Sequence, residues 1–124
     1  MTEIGSLVLF STNYDRTVEF YNAVGCALEH EDHDDGPAHH AVELGAVHFA
    51  VYPAESVGQA PGRRAGASTF PEFFVDSLDD TAALVTPLSE AVLEGHETMP
   101  WGCRMVFADP DGRPVEVNQR DHCG

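Results

Sequence analysis

Two stretches of this chain spell the same local plan. FSTNYDRT (residues 10–17) aligns with FVDSLDDT (residues 74–81), matching aromatic, acidic and threonine positions, and the alignment sets Ser6 on Phe70. An apolar segment of strand length precedes each stretch, IGSLVLF in the first half and STFPEFF in the second. A helical pattern follows each. In the first half Tyr14, Val18, Tyr21 and Val24 recur near helical spacing and Gly25 stops the run. Thr12 with Asp15 resembles a capping box, and Ser77 with Asp80 forms a second capping pair. A supersecondary unit that occurs twice, and cannot bury its sheet alone, predicts two copies packed as a pseudo-symmetric pair around a shared cavity.

The rest of the chain fills in each copy. Short strands are expected over about 26–33, 38–44 (AHHAVEL) and 46–52 (AVHFAVY), the last two joined by a tight turn at Gly45. In the second half an apolar helix is expected to end near Gly95, with Pro87 as a kink or break. Strands then follow near 96–99, at 102–108 (GCRMVFA) and, after the turn DPDG, at PVEVNQ. The chain reads βαβββ twice, an α+β domain over 1–124 made of modules 1–53 and 68–120. The stretch between them, 54–67, is rich in Pro, Gly and Ala and reads as a linker.

Composition narrows the partners. At 124 residues the chain can close one core without staples. No apolar run approaches the roughly 20 residues that span a bilayer, and the N-terminus MTEIGSLVLF lacks the basic start of a signal peptide, so a cytoplasmic protein is expected. Acidic residues number 21 against six basic ones, all arginine, for a formal net charge of -15. Nucleic acid and anionic membrane are poor partners for such a surface. A cationic small molecule would be attracted, and a solvated acidic surface is the competing explanation. Cys26, Cys103 and Cys123 stand at wide spacings without a CxxC pair, so the expectation is three reduced thiols, with neither a disulfide framework nor a zinc knuckle. No glycine-rich phosphate loop, GxSxG elbow or HExxH motif occurs.

TNYDRTVEFYNAVG after the first strand, FFVDSLDD opening the second half, and the ending MPWGCRMVFADPDGRPVEVNQ together resemble the vicinal oxygen chelate superfamily. That superfamily includes glyoxalase I, extradiol dioxygenases and bleomycin and fosfomycin resistance proteins. The ending is the most specific part, combining PWG before a strand, a DPDG hairpin and a strand with a central Glu. The resemblance implies curved mixed sheets enclosing a cavity, usually in a homodimer. It also implies, in metal-using members, one ligand on the first and last strands of each module. Carried over, those positions are Ser6, Ala50, Phe70 and Glu116, and only Glu116 is a ligand type. No metal is therefore expected there. His48 with Glu116, joined by His40, is the displaced alternative for a divalent ion.

Extending the strand parity of Glu116 predicts the ligand face: Ser6, Val8 and Phe10; His48 and Tyr52; Phe70, Glu72 and Phe74; and Asn118, with Trp101 and Arg104 near the mouth. The stretch EHEDHDDGPAHH, residues 29–40, packs four histidines and five carboxylates into twelve positions. Its place at a hairpin tip favours a solvated loop over a metal site, with His40 the histidine that reaches inward. Two functions remain. The first is a metal-free, bleomycin-resistance-like module that sequesters an aromatic or cationic small molecule. The alternative is a metal-dependent lyase or isomerase of the glyoxalase type, with Glu116 as base and a displaced histidine site.

Overall fold

Alternation decides which way each strand faces, and so which residues the helices cover. In the computed structural model, which describes Ile4, residues 6–32, 37–54, 69–121 and Cys123, strand β1 (Ser6–Ser11) turns Leu7, Leu9 and Ser11 inward. Ser6, Val8 and Phe10 take the opposite face. Helix α1 (Tyr14–Val24) buries Thr17, Val18, Phe20, Tyr21 and Val24, one stripe at helical spacing. It ends at Gly25, whose φ of 114° lets its N–H reach the carbonyls of Asn22 and Tyr21. Thr12 does not cap this helix, contrary to expectation: Asn13 is the N-cap and makes no side-chain cap bond. The Thr12 hydroxyl and amide instead donate to Asp111 Oδ1, at 2.8 and 3.1 Å, across the molecule.

Strands β2 (Glu29–Glu31), β3 (His39–Leu44) and β4 (Val47–Pro53) complete the first sheet, ordered β1-β4-β3-β2, with β1 parallel to β4 and the other pairs antiparallel. β2 is shorter than expected because Cys26 and Leu28 fold into the core. The second half repeats the plan with β5 (Glu72–Phe74), α2 (Leu78–Val85), β6 (Ala91–Met99), β7 (Gly102–Ala108) and β8 (Pro114–Arg120), in the order β5-β8-β7-β6. Here the capping pair forms as read, Asp80 N–H donating to Ser77 Oγ at 3.2 Å.

One element departs from the sequence reading. The helix stops at Val85 and a 3₁₀ turn over Thr86–Leu88 carries Pro87; residues 91–99, expected to be helical as far as Gly95, are the edge strand β6. Proline removes the N–H that would continue the helix, and the free edge of β7 offers a ladder that outweighs local propensity. β6 slips register between Val92 and Glu94 and again between Glu94 and Glu97.

The inward faces of the two sheets meet over the helices. Tyr21 of α1 lies edge-on to Phe49 of β4 at 5.2 Å and near Phe73 of β5 at 6.0 Å, and Phe49 and Phe73 are themselves 6.1 Å apart. Each large apolar side chain so buried contributes roughly 1.5–3 kcal/mol. A polar knot joins the modules beside this core. Arg113 Nη1 donates to Asp109 Oδ2 and Asp111 Oδ2, both at 3.0 Å, and its Nη2 donates to the Phe10 carbonyl. Tyr21 Oη donates to Asp109 Oδ2 at 2.7 Å and Thr17 Oγ1 to Asp111 Oδ2 at 3.2 Å.

Gly102 of the PWG motif has a steric reason. A Cβ there would lie 2.0 Å from the carbonyl oxygen of Gln119, so β7 and β8 close only on glycine. Cys103 and Cys123 form a disulfide with Cα atoms 5.8 Å apart, which corrects the expectation of three reduced thiols; Cys26 is the free, buried one. Residue spacing could not show this. Pairing of Gly102 with Arg120 and Cys103 with Gln119, then a left-handed Asp121 (φ 62°), return the tail to the start of β7. The linker expected over 54–67 lies outside the described residues apart from Ala54, as does His33. Among the described residues no helix is long and apolar enough to cross a membrane.

Candidate ligand-binding face

Because the faces carrying Phe49 and Phe73 both turn to the core, the opposite faces of the two sheets turn outward. On the second sheet the outward face is built in rows. Glu72, Glu116, Val106 and Glu94 pair across β5, β8, β7 and β6, and Phe74, Asn118, Arg104 and Glu97 form the next row. Arg104 is the hub. Its Nη1 lies 3.2 Å from Glu116 Oε1, its Nη2 donates to Glu94, and its Nε lies 3.7 Å from Glu97 Oε2. Burial lowers the guanidinium's affinity for its proton, but the surrounding charges of Glu116, Glu94 and Glu97 outweigh this and hold it above the ordinary arginine value. Burial pushes the Glu72 carboxyl up from its ordinary value, and the hydrogen bond and charge of neighbouring Glu116 push it further.

Aromatic side chains wall this face. Phe70, Phe74 and Trp101 are exposed at 59%, 45% and 43%, far above what core aromatics show, so they fill no space in the single chain. Phe74 and Trp101 meet edge-on at 6.5 Å, and the Arg120 guanidinium stands 3.8 Å above the Phe74 ring. A cleft of about 350 Å³ opens between Phe70, Leu93, Val106 and Pro114, with Arg104, Glu94 and Glu116 on its polar side. Beneath the aromatic row lies Asn118, fully buried, with neither Oδ1 nor Nδ2 hydrogen-bonded among the described residues. Leaving such a group unpaired costs about 1–3 kcal/mol.

The first sheet's outward face holds Ser6, Val8, Phe10, His48 and Tyr52, with His39 and Glu43 of β3 beside them. His48 Nδ1 is bonded to Glu43, and the His39 ring stacks on Tyr52 at 4.2 Å while its Nε2 meets Glu31 Oε2 at 3.0 Å. His40, read as the inward-reaching histidine, lies on the helix side: Tyr14 Oη bonds its Nδ1 and the His30 ring lies 5.3 Å away. Adjacent residues of a strand point oppositely, and β3 turns His39 rather than His40 to the open face.

The residues read from the sequence therefore divide. Phe70, Glu72, Phe74, Arg104, Glu116 and Asn118 come together on one face with Trp101 at its end, and Ser6, Phe10, His48 and Tyr52 come together on the other. A single chain does not bring His48 to Glu116, because the core lies between the two open faces. Leu93 and Glu94 escape the sequence reading because the helix is expected to run to Gly95; Glu97 falls in the strand expected near 96–99, but parity from Glu116 does not reach an edge strand whose register slips. Arg120 was missed although parity carried one step past Asn118 finds it.

A divalent ion does not suit the four positions that the resemblance marks. Ser6 is a weak ligand, Ala50 and Phe70 offer no donor, and Glu116 faces the guanidinium of Arg104, which already supplies its positive partner.

Comparison with known proteins agrees with this architecture. A family model described as Glyoxalase/Bleomycin resistance protein/Dioxygenase superfamily matches residues 3–117. Among curated proteins no significant match is found. TnmS3, an antibiotic binding protein from Streptomyces sp. CB03234, shares the fold with a TM-score of 0.68 at 18% identity, with 98% of each chain covered. An integron cassette protein from the mobile metagenome of V. Cholerae superposes with a TM-score of 0.64 at 24% identity, over 98% of this chain and 97% of the other. A glyoxalase/bleomycin resistance protein from Albidiferax ferrireducens T118 reaches 0.71 at 12% identity, over 97% and 100%. At these identities the likeness is one of fold.

Proposed function

We propose a function from one premise: this chain belongs to the Glyoxalase/Bleomycin resistance protein/Dioxygenase superfamily. It is a small-molecule-binding module that holds an aromatic or cationic compound without a metal ion. The observation that carries this reading is Asn118. Its amide is buried on the floor of an aromatic-walled face with no hydrogen-bond partner among the described residues, which is what a site looks like when its polar contact comes from a ligand. Charge supports a cation: Glu72, Glu94, Glu97 and Glu116 line the two central rows, against Arg104 and the flanking Arg120. The antibiotic-binding relative makes sequestration of a drug-sized compound the natural form of the activity.

The two open faces of one chain call for a homodimer, in which the first sheet of one copy covers the second sheet of the other and encloses the ligand. Such a pairing would also bring His48 of one copy towards Glu116 of its partner, the only route by which the lyase or isomerase alternative keeps its residues together. The net charge of -15 supports a soluble partner rather than nucleic acid or an anionic membrane, and the reading places the protein in the cytoplasm.

Trp101 reports directly on the proposal. Metal-stripped protein titrated with a panel of planar aromatic cations and their neutral isosteres should show a saturable change in its fluorescence for a cation. Replacing Asn118→Leu should weaken that binding by at least about tenfold, the worth of one buried hydrogen bond to a charged or polar ligand group. Equal affinity in the Asn118 variant, or saturation only after a divalent ion is added, would overturn the proposal.

A further inference from the structure

The opening of β7 holds a second set of donors, distinct from the carboxylates of the face just described. Cys103 points to the core side of the second sheet, and the tail beyond β8 brings Cys123 back to it, held by Asp121 N–H donating to the Trp101 carbonyl at 3.1 Å. His96 of the edge strand completes the group: one of its ring nitrogens and the two sulfurs all lie within 4.8 Å of one another. Among the described residues these are the three histidine, cysteine or carboxylate side chains whose donor atoms converge in this way. None of them occupies a metal position of the superfamily.

We propose that His96, Cys103 and Cys123 form a thiol-gated site for a soft divalent ion such as zinc, closed in the disulfide form and open after reduction. The chemistry balances in two steps. A dithiol reductant gives two electrons and two protons to the Cys103–Cys123 bond, leaving two thiols and becoming a disulfide itself. The ion then displaces one proton from each thiol, the two thiolates neutralise its charge, and the neutral imidazole of His96 adds a third donor beside water. Donors of a tetrahedral zinc site stand roughly 3.5–4 Å apart, so side-chain rotation suffices once the sulfurs are free.

Access and selectivity both have a structural basis. Cys123 lines an open cleft of about 420 Å³ with Thr98, Met99, Trp101 and Asp121, so reductant and ion can reach the sulfur from solvent. Cys26, the remaining thiol, is buried, and burial pushes its pKa up to about 12, which keeps it protonated and out of competition. A reducing compartment, where disulfides rarely persist, is where the open form would prevail.

The test uses the full chain, reduced with a dithiol, desalted without oxygen and titrated with Co²⁺ as a spectroscopic stand-in for zinc. Expected are a sulfur-to-cobalt charge-transfer band, about one ion per chain by elemental mass spectrometry, displacement of cobalt by zinc, and no band in the oxidised chain. Cys123→Ser, in the tail, should abolish the band, and His96→Ala should weaken binding at least about tenfold. Cys26→Ala should leave it unchanged. The fully buried Cys103 is a poorer target, because its replacement disturbs the core. No sulfur band in the reduced chain, a band that survives Cys123→Ser, or equal binding in the oxidised chain overturns the proposal.

Discussion

Two arginines of this protein sit among carboxylates, and their surroundings give them opposite duties. Arg113 is almost fully buried, and Asp109 and Asp111, equally buried, meet one of its nitrogens at 3.0 Å each. Arg104 keeps 23% of its side chain exposed on an open face, and its partners Glu94 and Glu97 are more than half exposed. Water is the difference. Where it is excluded, each charge depends on its partner and the group locks two modules together; where it is present, the ions can re-pair with something that arrives.

The sharpest way to break this comparison is Arg113→Met. It leaves two buried carboxylates without their cation and frees the Phe10 carbonyl, so a loss of about 3–5 kcal/mol in denaturant unfolding is expected. Arg104→Met should lower stability by about 1 kcal/mol, since Glu94 and Glu97 remain solvated and only Glu116, whose side chain is 12% exposed, loses its cation in a partly buried place. If the two variants cost the same, the division of duties is wrong.

Arg104→Met should instead act on binding. With the guanidinium gone, Glu116 and Glu94 are free to face a cation, and a cationic aromatic ligand should bind about tenfold tighter, an effect near 1.4 kcal/mol, while its neutral isostere should not. Isothermal titration of both ligands against both proteins separates the charge effect from a change of cavity shape.

The buried group has a pH signature as well. Burial alone would raise the Asp111 pKa, but hydrogen bonds from Ser11 and Thr12 and the charge of Arg113 outweigh it and hold the carboxyl below its ordinary 3.8. The folded state therefore binds this proton more weakly than the unfolded chain. Its stabilising contribution is complete above the ordinary value and is lost as pH falls through the depressed one. Unfolding free energy should be flat in this respect near neutrality and fall below about pH 3.8, with a shallower fall in Asp111→Asn. An unchanged acid limb in that variant would remove Asp111 from the linkage.

The comparison also explains what the sequence made legible. The repeat of FSTNYDRT in FVDSLDDT carries the βαβββ plan, and period-two alternation carries the faces, so Glu116, Asn118 and Phe74 could be set side by side before any coordinates. DPDGR reads as a turn because a turn has a local signature; that its Asp109, Asp111 and Arg113 are buried against the other module depends on a contact nearly a hundred residues away in sequence. VLEG in β6 was helical in pattern and became strand only because β7 offered an edge. The same non-local return joins Cys123 to Cys103.

The smallest effect expected is the most diagnostic of the open face. Glu72 keeps its proton to higher pH than a free glutamate, because burial, the hydrogen bond to Glu116 and the charge of Glu116 all raise its pKa, more than Arg104 and Arg120 lower it. A cation entering this face finds one carboxylate fewer while Glu72 stays protonated. Affinity for a cationic ligand should therefore rise a few-fold as pH climbs through the elevated value, above the ordinary 4.5, and then level off. Glu72→Gln should flatten the profile at its low-pH level, whereas a surface control such as Glu29→Gln should keep the rise. If the ligand binds equally across that range in the unaltered protein, the carboxylates of β5 and β8 do not meet its charge, and the cation must be sought at the Glu94 and Glu97 edge instead.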